Sequence, residues 1–191
     1  MKPYIILIAG IPASGKTTYG RHIAEKLNIP FICKDTIKEN LHNAIKWDTS
    51  VRANSKLYGL ASYNVFYSII DSLMKAGVSL VAESNFGPAS VDMLLPIIEC
   101  HGYRAITVLM DADLAVLNKR FHDRDITDER HPGLVISCEF EGFNEDEALA
   151  FRDFEVGEKI VVDTTDFARV SYAKVDADVI NFIGGINDGV H

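Results

Sequence analysis

Four residues near the start of the sequence have the types and the spacing that bind phosphate. Gly10, Gly15, Lys16 and Thr17 fit the pattern Gly-x4-Gly-Lys-Thr and follow the apolar run Tyr4–Ile8. Glycines let the backbone aim successive N–H groups at phosphate oxygens, a lysine adds positive charge, and a hydroxyl can ligate Mg²⁺. The segment therefore predicts a cradle for the phosphates of a nucleotide.

The elements around this segment are those that a P-loop needs. A strand enters the loop and a helix leaves it, so the positive end of the helix dipole meets the phosphates. We expect Lys16 to reach the β- and γ-phosphates, Thr17 to ligate Mg²⁺ and Thr18 to support an α-phosphate contact. The other nucleotide-binding candidates in the loop are Gly10, Pro12, Ala13, Ser14 and Gly15.

P-loops serve motors, switches and kinases, so residues at other strand ends must distinguish these classes. Transfer of a phosphoryl group to a hydroxyl needs a carboxylate at the acceptor. Asp35, after the second apolar run, fits that role, although it would also suit the N-cap of a helix over Ile37–Ala44. Lys38, one turn later, is a candidate for binding an anionic part of the acceptor, or a solvated surface charge.

Two polar residues end the third apolar run. Glu83 would lie beside the P-loop strand, where its carboxylate could polarise the Mg²⁺ shell or bind the acceptor. Asn85 carries both a donor and an acceptor, which fits substrate recognition as well as a turn. Further along, the segment 40–55 is expected to cover the acceptor pocket, with Trp47, Arg52 and Tyr58 as candidates for shaping it.

Three arginines supply the cations that phosphoryl transfer requires. Arg120 and Arg124 lie one helical turn apart, and Arg130 follows in the segment Arg-His-Pro-Gly. Such a flap would stabilise the charge that spreads over the transferred group. Surface ion pairing with the interleaved acidic residues is the alternative interpretation.

The apolar pattern predicts a parallel sheet with helices on both faces. Short continuous apolar runs are typical of strands covered on both sides, and their alternation with amphipathic segments favours a doubly wound α/β domain. Ligands of such sheets bind beyond the carboxyl ends of the strands. The predicted strands are Tyr4–Ala9, Phe31–Lys34, Val78–Glu83, Ala105–Asp111 and Lys159–Asp163. The main predicted helices are Thr17–Leu27, Ser55–Lys75, Val91–His101 and Leu114–Asp125.

Composition narrows the function classes. The 191 residues carry a net charge of −8, which argues against a general nucleic-acid binder but permits a local basic pocket. No apolar run is long enough for a membrane span, and the apolar run at the start is too short for a signal peptide. The three scattered cysteines have no CxxC spacing and are expected to be buried and reduced, which favours the cytoplasm.

The sequence resembles the small P-loop kinases grouped with the kinase domain of polynucleotide kinase, chloramphenicol phosphotransferase and zeta-toxin kinases. The residues that carry the resemblance are the P-loop, Lys34-Asp35, Glu83-Ser84-Asn85-Phe86, the Arg120/Arg124 pair, Arg130-His131-Pro132-Gly133 and Asp163-Thr164-Thr165.

This resemblance implies a role for each segment. Asp35 would activate the acceptor, Arg120 and Arg124 would belong to a lid over ATP at about 120–137, and Arg130 would be its transition-state arginine. Thr164 and Thr165 would begin the loop that lies against adenine. Polynucleotide-kinase-like sites often carry arginine where this chain has Lys38, and lysine cannot form the bidentate phosphate fork.

The prediction is therefore a single P-loop NTPase domain over 1–191, with three layers and about five strands, that acts as an ATP- and Mg²⁺-dependent kinase of a small-molecule hydroxyl. The acceptor side would be formed by a helical segment at about 36–60. The alternatives are a polynucleotide or nucleoside 5′-hydroxyl kinase and a regulatory module that binds ATP without turnover. The sequence does not predict the oligomeric state.

Overall fold

Strands and helices alternate along the chain, as the apolar pattern predicts. The computed structural model describes residues 2–125, 130–134 and 142–184. The strands are β1 (Tyr4–Gly10), β2 (Phe31–Cys33), β3 (Leu80–Glu83), β4 (Arg104–Asp111) and β5 (Glu158–Asp163). The helices are α1 (Lys16–Leu27), α2 (Lys34–Ile45), α3 (Arg52–Lys75), α4 (Pro88–His101), α5 (Leu114–Asp125), α6 (Glu145–Arg152) and α7 (Tyr172–Gly184), with short 3₁₀ turns at Pro132–Leu134 and Phe167–Arg169.

The five strands form one parallel sheet in the order β2-β3-β1-β4-β5. The P-loop strand β1 is central, with Ile8 in register with Glu83 on one side and with Val108 on the other. The predicted doubly wound α/β fold is confirmed, and its strand order brings the ends of β1, β2 and β3 together. This edge is where a parallel sheet of this kind binds ligands.

Alternate residues of β1 belong to two different hydrophobic clusters. Ile5 and Leu7 pack with residues of α3 and α4, whereas Ile6 and Ile8 pack with residues of α1 and α7. All four side chains have no exposed surface. Because successive side chains of a strand point to opposite faces, a strand buried on both sides reads as an unbroken apolar run.

The second strand and the next helix differ from the prediction in a way that matters for the site. The predicted strand extends to Lys34, but β2 ends at Cys33 and Lys34 is the first residue of α2. Cys33, in extended conformation, is the N-cap, so the capping role considered for Asp35 is wrong. Asp35 instead lies in the first turn, where a negative charge interacts favourably with the helix dipole.

Other departures lie farther from the P-loop. Helices α6 and α7 are not among the predicted elements, and α6 begins inside the acidic run Glu139–Glu147, which the sequence favours as a solvated face or loop. Of the cysteines, Cys33 is buried but Cys100 is exposed, which corrects the expectation of burial, and Cys138 lies outside the described residues. Within the described ranges, no helix has the length and apolarity needed to cross a membrane.

Candidate nucleotide and acceptor site

The P-loop has the backbone conformation that its sequence requires. Gly10 and Gly15 have φ values of 137° and 90°, and a Cβ at Gly10 would come within 2.1 Å of the Met110 carbonyl oxygen. The Lys16 ammonium is buried and donates to the Ile11 carbonyl oxygen at 2.8 Å, across its own loop. The loop is thus folded around the position where phosphates would bind.

The environment of Lys16 indicates that this loop fits a triphosphate. Burial lowers the pKa of Lys16 to about 8, although the nearby carboxylates of Glu83 and Asp35 oppose this shift. An ammonium that is destabilised by burial gains from a polyanionic ligand, which restores its charged form. The residues present therefore fit a nucleotide and its Mg²⁺.

Glu83 joins the end of β3 to the first turn of α1. Its Oε2 accepts hydrogen bonds from the Thr17 hydroxyl at 3.1 Å and from the Cys33 thiol at 2.9 Å, and the residue is 4% exposed. Burial and the Glu83 carboxylate raise the pKa of Cys33 to about 12, so this thiol stays protonated and donates. When Thr17 donates to Glu83, its oxygen lone pairs remain available to a metal ion.

Asp35, in the first turn of α2, is paired with its neighbour Lys34. Its Oδ1 lies 2.6 Å from the Nζ of Lys34, whose ammonium also sits 5.2 Å from the centre of the Tyr63 ring. Burial alone would raise the pKa of Asp35, but the positive charges of Lys34, Lys16 and Lys38 together hold it below its ordinary value. Burial likewise opposes the charge of Lys34, and Asp35 outweighs it, so that the pKa of Lys34 is raised.

Lys38 lies one turn farther along α2 and is 9% exposed. Its Nζ donates to the Ser55 hydroxyl at 2.9 Å, so α3 contributes to the same wall. Burial, together with the like charges of Lys34 and Arg130, lowers the pKa of Lys38, although Asp35 opposes the shift. The alternative interpretation of Lys38 as a solvated surface charge is therefore wrong.

Two of the three predicted lid arginines flank one aromatic ring. The guanidinium carbons of Arg124 and Arg130 lie 5.4 Å and 5.3 Å from the centre of the Phe121 ring. Arg130 also donates to the Leu134 carbonyl oxygen at 3.0 Å. The 3₁₀ turn that follows packs on α2, where a Cβ on Gly133 would come within 2.8 Å of the His42 Cβ.

Arg120 has a different position from the other two arginines. It donates to the carbonyl oxygens of Thr164 and Thr165, each at 2.9 Å, and its guanidinium lies 3.9 Å from the centre of the Phe167 ring. That ring packs against the P-loop, since a Cβ at Gly15 would meet it at 2.9 Å. Arg120 thus ties the segment after β5 to the nucleotide side of the site.

One cavity of about 400 Å³ connects these groups. It is lined by P-loop residues, by residues of α2 and β3, and by the arginines of the lid. Its charged lining comprises six cationic side chains and two carboxylates, namely Lys16, Lys34, Lys38, Arg120, Arg124, Arg130, Asp35 and Glu83. In a protein of net charge −8, this is a marked local excess of positive charge.

A family model described as an AAA domain, AAA_33, matches residues 5–140, which is well over half of the chain. The chain belongs to the AAA_33 family. No curated protein matches the sequence. The resemblance to P-loop kinases that the motifs indicate is confirmed by this membership together with the structures below.

Solved structures with similar folds support the fold assignment of this AAA_33 member. A proposed kinase from Chloroflexus aurantiacus J-10-fl superposes with a TM-score of 0.81 at 24% identity, covering 95% of this chain and 98% of that one. A sugar kinase from Janibacter sp. HTCC2649 gives a TM-score of 0.60 at 15% identity, covering 95% of each chain. Shikimate kinase from Acinetobacter baumannii, in complex with shikimate, gives 0.55 at 17% identity, covering 97% and 96%.

Most residues proposed from the AAA_33 sequence line the cavity, and a few do not. Arg52 is exposed at the start of α3 and does not line it, and Trp47 and Tyr58 instead stack on each other at 4.1 Å away from it. Gly10 and Ser14 do not line the cavity, and neither do Thr164 and Thr165, whose carbonyl oxygens accept hydrogen bonds from Arg120. The predicted candidates that do line the cavity are Pro12, Ala13, Gly15, Lys16, Thr17, Thr18, Asp35, Lys38, Glu83, Asn85, Arg120, Arg124 and Arg130.

The sequence interpretation gave no individual site role to Lys34, Phe167, Phe121 or Cys33. Lys34 belongs to the Lys-Asp pair that carries the resemblance, but it ends a predicted strand. For Phe167, the only signal in the sequence is its position two residues after Thr165. Parts of the predicted lid, 126–129 and 135–137, lie outside the described residues.

Proposed function

We propose that this protein is an ATP- and Mg²⁺-dependent kinase that transfers the γ-phosphoryl group to a hydroxyl of a small molecule. The observation that carries the proposal is that a single cavity is lined both by the P-loop lysine, Lys16, and by the α2 carboxylate, Asp35. A site that only binds nucleotide needs the first group, whereas transfer to a hydroxyl needs both.

On the donor side, the P-loop amides and Lys16 bind the phosphates. Thr17 ligates Mg²⁺, and Glu83 orients the Thr17 hydroxyl through the bond that already joins them at 3.1 Å. This assigns Glu83 to the metal rather than to the acceptor. Arg120 and Phe167 hold the loop after β5 against Gly15, which suits a planar base beside the P-loop.

On the acceptor side, Asp35 orients the attacking hydroxyl. Because the pKa of Asp35 is held below its ordinary value, the carboxylate is ionised at neutral pH and accepts a hydrogen bond from the hydroxyl. A weakly basic carboxylate is sufficient where the transition state is loose and the proton leaves late. Asn85 lines the same side and would contribute an amide to acceptor recognition.

In the proposed transfer, the γ-phosphorus exchanges its bond to ADP for a bond to the acceptor. The acceptor oxygen forms a bond to the γ-phosphorus as the bond from that phosphorus to the bridging oxygen of ADP breaks. The hydroxyl proton passes to Asp35 and then to solvent. Arg124 and Arg130, which flank Phe121 and line the cavity, stabilise the charge on the transferred group.

The local charge favours a small acceptor over a polynucleotide. Six cationic side chains line this cavity, whereas the protein as a whole has a net charge of −8, which does not favour the extended basic surface that a nucleic-acid chain requires. A regulatory module without turnover would not need a carboxylate such as Asp35 at the end of the nucleotide cavity.

Incubation with ATP labelled at the γ-phosphate and a deproteinised metabolite pool tests the proposal. We expect the label to appear in a small phosphorylated product, with Mg²⁺ required and with Lys16→Met inactive. Label in an added 5′-hydroxyl oligonucleotide instead would indicate a polynucleotide kinase. Tight ATP binding with no labelled product in either sample would indicate a regulatory module.

A further inference from the structure

Lys38 is a buried cation that makes no ion-pair contact with a carboxylate among the described residues, although the charge of Asp35 acts on it. The residue is 9% exposed, and its ammonium donates to a neutral hydroxyl, that of Ser55, at 2.9 Å. Asp35, one turn earlier on the same helix, is already paired with Lys34 at 2.6 Å. An ammonium that is removed from water without an anionic partner destabilises the free protein.

The surroundings of Lys38 add to this excess of positive charge. Lys34 and Arg130 line the same cavity, and their charges act against that of Lys38. Phosphates bound by the P-loop would offset the charge of Lys16, whereas Lys38 stands on α2 and its ammonium contacts Ser55 of α3. The charge of Lys38 would then be available to a second anion.

From this arrangement we infer that the acceptor is itself an anion, a compact hydroxy acid or hydroxylated phosphate monoester. Its anionic group would be held by Lys38 and Ser55, while its hydroxyl would face Asp35. This inference rests on the proposed kinase function and specifies the acceptor that the function left open.

The spacing on α2 limits the shape of this acceptor. Residues three apart on a helix have Cβ atoms about 5–6 Å apart, so the anionic group and the reacting hydroxyl would be separated by a few bonds. A lysine provides a point charge and the serine a single hydroxyl donor, which suits one small anionic group better than the bidentate contacts of an arginine site.

The test uses pairs of acceptors of which one carries an anionic group and the other does not. Short hydroxy acids are compared with their amides, and sugar phosphates with the parent sugars, with labelled ATP at saturation. We expect transfer to members of one anionic class and at least about tenfold lower kcat/KM for the neutral partners. A labelled product that derives from a hydroxy acid would identify the anionic group as a carboxylate, and one that derives from a sugar phosphate would identify it as a phosphate. Preferential transfer to neutral acceptors would overturn the inference and leave the kinase function intact.

Failure of every acceptor in a protein that binds ATP would instead count against the kinase function, and with it against the inference. The kinase function and the anionic nature of the acceptor can therefore be rejected by different results.

Variants of Lys38 give a second, independent test. Lys38→Met should raise the acceptor KM by about tenfold or more while the KM for ATP stays unchanged, and Lys38→Arg should restore part of the loss. Lys56→Met removes a lysine from an exposed position of α3 and serves as the control. An unchanged acceptor KM in Lys38→Met would overturn the inference.

The thermal stability of the free variant distinguishes acceptor binding from a structural role. If Lys38 is retained for an anion, methionine removes an uncompensated buried charge, and we expect the Tm of the acceptor-free protein to rise. A fall of several degrees would show that the bond to Ser55 stabilises the fold, and would contradict the inference.

Discussion

The two ends of the cavity are built in different ways. At the proposed nucleotide end, the residues expected to contact phosphate are consecutive, 10–18, and would act largely through the backbone. At the proposed acceptor end, Lys34, Asp35 and Lys38 come from α2, Ser55 comes from α3 and Asn85 follows β3. The first end is fixed by one turn of chain and its glycines, whereas the second exists only once several elements have packed together.

Electrostatics also separates the two ends. Burial lowers the pKa of Lys16 to about 8, a cost that bound phosphates would offset. At the proposed acceptor end, Asp35 is held ionised by surrounding lysines, and Lys38 makes no ion pair with a carboxylate in the part of the chain that the structure describes. In the free protein, each end of the cavity therefore carries a lysine whose positive charge is not fully offset, and we expect a different anionic ligand to bind at each end.

At the nucleotide end, the largest expected effect is a rise of the Kd for ATP with pH. Because the charged form of Lys16 binds phosphate and its pKa in the free protein is about 8, affinity should be full below that pH and lost above it. The Kd for a nonhydrolysable ATP analogue with Mg²⁺ should rise by up to about tenfold per pH unit above the pKa. Isothermal titration calorimetry from about pH 7 to 9.5 measures this rise.

Lys16→Arg is the control for this titration, because arginine stays charged throughout the range. Its Kd should be nearly independent of pH, even if it is weaker. A wild-type Kd that stays constant up to about pH 9.5 would show that the protonation of Lys16 does not control binding.

A smaller effect is expected at the hydrogen bond between Cys33 and Glu83. Cys33→Ala removes the thiol donor at 2.9 Å, so Glu83 is less firmly directed toward Thr17. The Mg²⁺ concentration for half-maximal turnover should rise by about tenfold, the lower end of effects from groups behind a metal ligand. Cys33→Ser keeps a donor and should restore most of the affinity; equal behaviour of the two variants would argue against this orienting role.

The smallest effect is expected where the lid meets α2. In Gly133→Ala, the new Cβ would lie 2.8 Å from the His42 Cβ, so the turn must move away from α2. Because this turn follows Arg130, we expect a rise of a few-fold in the acceptor KM, in line with an overpacking cost of about 1–3 kcal/mol, and little change in ATP binding.

Gly59→Ala is the matched control, because nothing lies within 4 Å of a Cβ at that position of α3. Alanine in a helix interior should raise its stability without changing KM. If both variants left the acceptor KM unaltered, the contact between the lid turn and α2 would have no role in acceptor binding.

The comparison also explains what the sequence could predict. The P-loop, the parallel sheet and the strand-end residues Asp35 and Glu83 follow from local patterns, because a buried strand is an apolar run and the glycines specify the turn. The helical period of Val175, Val179 and Phe182 in α7 is a signal of the same kind, although it is absent from the predicted helices.

Local sequence patterns predicted fewer of the contacts at the proposed acceptor end. A one-residue shift at the end of β2 turned Lys34 from a strand residue into the first residue of α2 and thus into the partner of Asp35. Arg52 was proposed for the pocket from its place in the sequence, but it lies exposed on α3. The partners of Lys38 depend on how α3 crosses α2, which no local pattern encodes.

Asp35→Asn tests the central claim most directly, because it changes the acceptor end and keeps the shape of the side chain. Calorimetry with the nonhydrolysable ATP analogue should give a Kd close to that of the wild type. Label transfer to the acceptor should fall by at least about 10²-fold, within the range of general-base effects. Nearly unaltered transfer in this variant would contradict the account, because a cavity shared by Lys16 and Asp35 would then not be the site of phosphoryl transfer.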